Sequence, residues 1–158
     1  VIYNNDSVND GLYGKLYNHY AVMDTRGLCP TGWHVPTDGD WNVMANFLDL
    51  NADTVCISCW QSAIAGGALK STAIQPTLGG WTPPNSGATN SSNFTAGPGG
   101  IKFFDGRFVN LGTNGNWWSL SLSGSYYALY RELQFDFGTI YRGVHYRTNG
   151  FSVRCLRD

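Results

Sequence analysis

Apolar and polar positions along the chain follow two different periods. Between residues 37 and 48, Trp41, Met44, Ala45 and Leu48 recur at the three- and four-residue spacing that puts side chains on one side of a helix. Thr37 or Asp38 can cap its first turn, so an amphipathic helix with one face on a core is expected here. A shorter helical piece is expected over residues 60–64, ended by Gly66-Gly67. Elsewhere the period is two. Phe103-Phe104 and Arg107-Phe108 flank Asp105-Gly106, which predicts a β-hairpin. Trp117-Trp118 opens a further strand and Ser123-Gly124-Ser125 marks a turn. In the strand predicted over residues 128–137, Leu129, Leu133, Phe135 and Phe137 share one face with Arg131, while Tyr130, Glu132, Gln134 and Asp136 share the other. The first face reads as core and the second as open to solvent. After a turn at Gly138, Ile140 and Arg142 face one way and Tyr141, Gly143 and His145 the other, and a last strand is predicted over residues 151–156.

Residues 73–100 break both periods with a run of Gly, Pro, Asn, Ser and Thr. The segment also holds Trp81 and Phe94, and burying a ring of that size is worth roughly 2–3 kcal/mol. It is therefore expected to be an ordered loop wrapped on a single domain spanning residues 1–158.

Composition agrees with a turn-rich fold of short strands: charged residues are 13%, about half the usual share, and aromatics reach 15%. A net charge of -1 gives no basic surface for phosphates, so no nucleic-acid partner is expected. No apolar run approaches the ~18–20 residues that cross a bilayer, so no membrane insertion is expected. The cysteines are Cys29, Cys56, Cys59 and Cys155; an even count in a chain of this kind leans towards disulfides and an oxidising compartment. A lone Cys56-x-x-Cys59 lacks the second ligand pair of a structural zinc site, so no metal is assigned.

The histidines (His19, His34, His145) are scattered, and no nucleophile elbow, zinc-protease or phosphate-loop motif is present, so no catalytic residues, enzyme activity or cofactor are expected. His34, within "GWHVP", reads as a packed framework residue. Arg142 and Arg154 read as scaffold cations stitching strands to carboxylates, and Arg147 lies near the polar face.

The motifs "YGKLYNHYAV", "RGLCPTGWHVPTDGDW", "AGGALK", "GATNSSNFTAGPGG", "DGRF", "WWS" and "GFSVRCLRD" occur in this order from about Tyr13 to Asp158. In this the chain resembles the Fibrobacter succinogenes major paralogous domain family. The resemblance implies an α+β, C-type-lectin-like fold, related to formylglycine-generating-enzyme domains, with short antiparallel strands, one or two helices and long ordered loops. It implies that the first and last strands pair and that Cys29 bonds Cys155; Cys56 and Cys59 then most simply bond each other. The tripeptides of calcium-dependent sugar binding are missing, although a structural calcium held by loop oxygens is compatible with the composition.

The layout of residues 117–155 is also similar to the variable region of diversity-generating retroelement proteins, in which a lectin-like scaffold displays rewritten side chains. Glu132 and Gln134 cannot arise by adenine substitution in an AAY codon and depart from that pattern. The expected ligand-binding set is Tyr126, Tyr127, Tyr130, Glu132, Gln134, Asp136, Thr139, Tyr141, Gly143, His145, Tyr146 and Thr148, because tyrosine offers rigid contact area with a polar tip. The core share of the aromatics is expected to be Trp117, Trp118, Phe135, Phe137 and Phe151. The expected function is binding of a protein or glycan target, outside the cell, on its surface or on a phage virion. The alternatives are a structural or adhesin subunit and an oxidase of the formylglycine-generating type.

Overall fold

The computed structural model describes residues 1–158. After a 3-10 turn (Tyr3–Asn5), the elements in chain order are α1 (Val8–Tyr13), α2 (His19–Val22), β1 (Trp33–His34), α3 (Asp38–Leu48), β2 (Cys59–Ser62), α4 (Ala65–Leu69), β3 (Gly99–Lys102), β4 (Phe108–Leu111), β5 (Asn114–Ser123), β6 (Tyr127–Gln134), β7 (Ile140–Tyr146) and β8 (Leu156–Arg157). The fold is mixed α+β, with antiparallel strand pairs throughout its sheets.

Thr37, not Asp38, caps α3. Its hydroxyl accepts the Asp40 N–H at 3.2 Å while the Asp40 carboxylate accepts the Thr37 N–H at 2.8 Å, a reciprocal capping box that satisfies two donors of the first turn. Trp41 and Ala45 are buried and Met44 and Leu48 pack beside them, as the stripe predicts. The hairpin also forms as predicted, with β3 paired to β4 across Asp105-Gly106.

The main sheet has the order β2-β7-β6-β5. It separates two cores. Trp117, Leu133 and Ile140 meet Trp41, Leu69, Trp81 and Ala96 on the α3 side. Trp118, Ala128 and Tyr130 meet Val22, Val35, Ile101 and Phe151 on the other. Phe151 stacks on Trp118 with ring centroids 4.2 Å apart. Because β6 lies between two cores, its second face is covered along much of its length, contrary to the expectation of one wet face.

The long loop is ordered as predicted. Trp81 is buried and donates its indole N–H to Ala96 O at 3.0 Å. Lys70, also buried, donates to the carbonyls of Ser86 (2.8 Å), Gln134 (3.0 Å) and Phe137 (2.8 Å), tying the loop to the end of β6. Burial pulls this ammonium down to about 8, partly offset by Asp136, so it stays mostly charged at neutral pH.

Residues 59–62 form an edge strand, not a helix, and the helix comes later as α4, with Gly66 and Gly67 inside it. A β-carbon on Gly66 would collide with the Thr139 carbonyl, and one on Gly67 with that of Gly87. The glycine pair marks a close backbone approach, not a helix stop. The predicted last strand shortens to bridges at Phe151 and Ser152, followed by β8. β8 pairs with β1, so the first and last strands meet. Cys29 and Cys155 are bonded with Cα atoms 5.8 Å apart, and Cys56 is bonded to Cys59.

His34 is half-exposed, with Nδ1 2.6 Å from Asp158 Oδ1, which corrects the packed-framework reading. His19 takes that role instead. It is buried, edge-on to Trp118, and its Nε2–H donates to Ser119 O at 2.9 Å, while Nδ1 has no partner. Burial pushes its pKa down, outweighing the Ser119 carbonyl, so the ring is neutral in the fold.

Two outcomes are expected. Replacing Cys29 and Cys155 by Ser removes a link across 126 residues and should lower stability by about 4 kcal/mol in urea titrations. His19 binds fewer protons folded than unfolded, so its contribution is complete above about pH 6.5 and is lost on acidification below it. The urea midpoint should therefore drop between pH 7.5 and 5.5, and His19→Gln should shrink the drop; an unchanged drop would exclude His19 as its source.

Candidate functional site

One buried ionic cluster sets the position of the main sheet against α3. Arg131 and Arg142 are paired across β6 and β7 and both point to the α3 side. Asp38, in the first turn of α3, lies between them. Its Oδ1 accepts from Arg131 Nη1 at 2.8 Å and from Arg142 Nε at 3.1 Å, and Oδ2 accepts from Arg142 Nη2. Arg131, fully buried, also donates to Gln61 Oε1 at 2.9 Å and Asn42 Oδ1 at 2.7 Å. Arg142 Nη1 reaches the carbonyls of Thr54, Val55 and Cys56, which fixes the disulfide-closed loop before β2. Burial alone would raise the Asp38 carboxyl, but hydrogen bonds from Arg142 and Arg131 outweigh it and hold it below the ordinary range. Burial draws Arg131 down to about 10, against the pull of Asp38, and leaves it charged. The scaffold reading of Arg142 is thus correct. Arg154 instead lies over the Phe94 ring at 4.6 Å and has no carboxylate partner.

On the opposite side of the sheet, register aligns Trp60 with Tyr141, Tyr141 with Glu132 and Glu132 with Asn116, one residue from each strand. The β3–β4 side of this face is covered; the Trp60 end is open. Trp60 is 46% exposed, as is Phe137. Its ring lies 5.2 Å from Tyr141 and 5.6 Å from Phe137. Tyr141 continues to Tyr130 at 6.3 Å, Tyr130 to His145 at 5.9 Å and His145 to Phe103 at 6.1 Å, a continuous aromatic run across the face. Glu132 sits within it. Asn114 Nδ2 donates to Glu132 Oε1 at 2.9 Å, Gln134 Nε2 donates to the same oxygen, and the Tyr130 hydroxyl donates to Oε2 at 3.3 Å. Asn116, at the inner end of the row, is buried with neither side-chain amide atom partnered in the protein.

The expected binding set divides. Tyr141, Glu132, Gln134 and His145 share this face and are partly accessible. Tyr130 shares it but is only 7% exposed, wedged against Trp118 and Phe151, and burial raises its hydroxyl pKa. Gly143 is buried too. A β-carbon there would lie 2.5 Å from the Tyr141 ring and 2.8 Å from the Tyr130 ring, so the glycine makes room for both tyrosines and contacts nothing outside. His145 Nδ1 accepts from the Tyr146 N–H at 3.0 Å and is 2.6 Å from Asn149 Nδ2, and burial lowers its pKa. Thr139 turns inward, with an unpartnered buried hydroxyl, where the chain passes Gly66.

Tyr127 and Tyr146 pair at 4.7 Å on the face shared with Arg131 and Arg142, away from Tyr141. Tyr126 lies in the adjoining turn, and Arg147 rests on Tyr20 at 4.4 Å. Asp136 and Thr148 are exposed outside the strands. Phe137, expected in the core, is on the surface because β6 ends at Gln134 and the chain then bends over Lys70.

Sequence reasoning missed Trp60, which the helical reading of residues 60–64 concealed. Its signal is alternation, since Trp60 is exposed and Gln61 buried beside a paired strand. It also gave Asp38 only a capping role. The only grouping of metal-ligating side chains is Asp53, Cys56 and Cys59, whose ligand atoms lie within 4.8 Å of one another. The disulfide removes both thiolates, and Asp53 Oδ1 accepts the N–H groups of Val55 and Cys56.

The Fibrobacter succinogenes major domain (Fib_succ_major) matches residues 1–157. The chain belongs to that family. The match takes in α1 and the Cys56–Cys59 loop, which lie outside the motifs that first suggested the relationship. No curated protein and no solved structure matches the chain. Within this Fib_succ_major domain the ionic cluster and the aromatic row are two sides of one sheet.

Removing the Asp38 carboxylate should therefore be felt on both. Asp38→Ala strands two buried guanidinium groups and should cost about 3–5 kcal/mol in chemical denaturation. Glu132→Gln, on the opposite face, should cost under about 1.5 kcal/mol. Similar losses for the two variants would refute the central place of Asp38.

Proposed function

We propose that this domain is a non-catalytic recognition module that binds a protein or glycan target through the open end of the sheet face, centred on Trp60, Tyr141, Glu132, Gln134 and Phe137. The observation that carries this reading is the Trp60–Tyr141–Glu132 row: two accessible aromatic rings and a carboxylate already held by neighbouring donors, on strands fixed from beneath by Asp38, Arg131 and Arg142. Rigid aromatic surface loses little entropy on binding, and polar groups of fixed direction add selectivity. The β1–β8 pairing, the long ordered loop and the few helices support a C-type-lectin-like architecture. The two disulfides fit an oxidising location, on a cell surface or a phage particle.

Where such domains are diversified, a reverse transcriptase beside a near-identical template repeat accompanies the gene, and that neighbourhood would assign this domain to the diversity-generating subclass. A second reading draws on the opposite face. Tyr126, 71% exposed, lies beside Tyr127 and Tyr146, an accessible aromatic patch suited to permanent packing in a surface assembly or adhesin.

Screening on a glycan array and on a displayed-peptide library separates the two. Binding recovered in either should weaken at least tenfold in Trp60→Ala and Tyr141→Ala, and by less than threefold in Tyr126→Ala. Loss confined to Tyr126→Ala would move the site to the second patch.

A further inference from the structure

A predominantly apolar concavity lies beyond the sheet from the Trp60–Tyr141 row, against α3. A groove of about 560 Å³ runs between α3 and the C-terminal segment, lined by Trp33, Trp41, Met44, Phe47, Phe94 and Leu156, with Arg154 at its side. Its volume falls in the range of small-molecule sites. Two of the lining rings are left largely out of the domain's own packing: Phe47 is 84% exposed on α3, and Trp33 is 45% exposed on β1. Exposed rings in this number are costly unless they serve contact with something else.

The polar groups around the groove are unequal. Asp40 lines it, but its carboxylate is engaged by the Thr37 N–H at 2.8 Å and the Thr37 hydroxyl at 2.7 Å, and it makes no salt bridge to Arg154. Asp158 is taken by His34 at 2.6 Å. Arg154 has neither a carboxylate nor a hydrogen-bond acceptor in the protein. Its guanidinium lies over Phe94, 4.6 Å from the ring centre, at the exposed rim of the groove. Trp41, 3% exposed, forms part of the groove wall. An apolar slot with an uncommitted guanidinium at its rim calls for a ligand with an apolar body and an anionic, acceptor-only head.

We infer that the groove between α3 and the C-terminal segment is a binding site for a small aromatic or aliphatic carboxylate, its apolar part between Phe47, Met44 and Trp33 and its carboxylate on Arg154. The planar fork of arginine matches a carboxylate, and a charge-assisted bond outweighs a neutral one. The site is independent of the sheet-face reading, from which it is separated by the sheet itself.

The probes are 2-naphthylacetate and its neutral isostere 2-naphthylacetamide, titrated calorimetrically into the full chain. The acid should bind with one-to-one stoichiometry, about tenfold more tightly than the amide. Arg154→Gln should bring acid and amide to within about twofold of each other, whereas Arg154→Lys should keep part of the preference. Phe47→Ala alters only an exposed ring, so the fold should survive, and it should weaken both probes alike. In two-dimensional NMR the Trp41 indole resonance should move on titration with the acid. Equal affinity for the two probes, an acid preference that survives Arg154→Gln, binding indifferent to Phe47→Ala, or no saturable binding up to about 10 mM would each overturn the proposal. A concentration-dependent dimer in sedimentation velocity that Phe47→Ala abolishes would overturn it as well, assigning the groove to a second copy of the chain.

Discussion

Two guanidinium groups meeting one buried carboxylate is the constraint around which the domain is arranged. Asp38 alone could not hold Arg131 and Arg142 side by side; Gln61, Asn42 and three backbone carbonyls complete their coordination. Such a cluster gains little net stability over an apolar replacement, but it tolerates only one arrangement, because every displaced donor would be left unpaired in a dry interior. The position of α3, the register of β6 against β7 and the path of the loop before β2 are therefore decided together. The disulfide between Cys56 and Cys59 closes the same loop that Arg142 holds by its carbonyls.

This coupling explains why the aromatic row can be presented on short strands. Trp60 belongs to a four-residue edge strand, which by itself would be a weak platform. Its neighbour Gln61 points inward to Arg131, and the partner strand carries Arg142, so the edge is anchored from the inner face while Trp60 faces out. Lys70 does the same at the other end, gathering the carbonyls of the long loop and of residues 134 and 137 around one ammonium. In both places a buried cation substitutes for the apolar area that short strands lack.

Features encoded by neighbours in sequence were legible, and those encoded by contact between distant segments were not. Thr37 and Asp40 specify the start of α3 within one turn, and Asp105-Gly106 specifies the hairpin. The burial of Trp81 followed from its size alone. Alternation correctly sorted β6 into two faces, yet could not show that Phe151 and Trp118 cover the second, so Tyr130 read as a surface residue. Gly66 and Gly67 read as a helix stop because the carbonyls they accommodate belong to residues 139 and 87. Asp38 looked like a cap for the same reason, its partners lying 93 and 104 positions away.

Burial of β6 on both sides bears on how such a domain could acquire a new partner. Only Tyr127, Glu132 and Gln134 of its eight residues escape burial, so most exchanges along the strand would damage packing before they altered recognition. Novelty has freer entry at the flanks, through the bend at Asp136 and Phe137, the tip at Phe104 and the edge at Trp60. A lineage drifting toward another target would be expected to rewrite this perimeter and leave the middle of the sheet almost untouched.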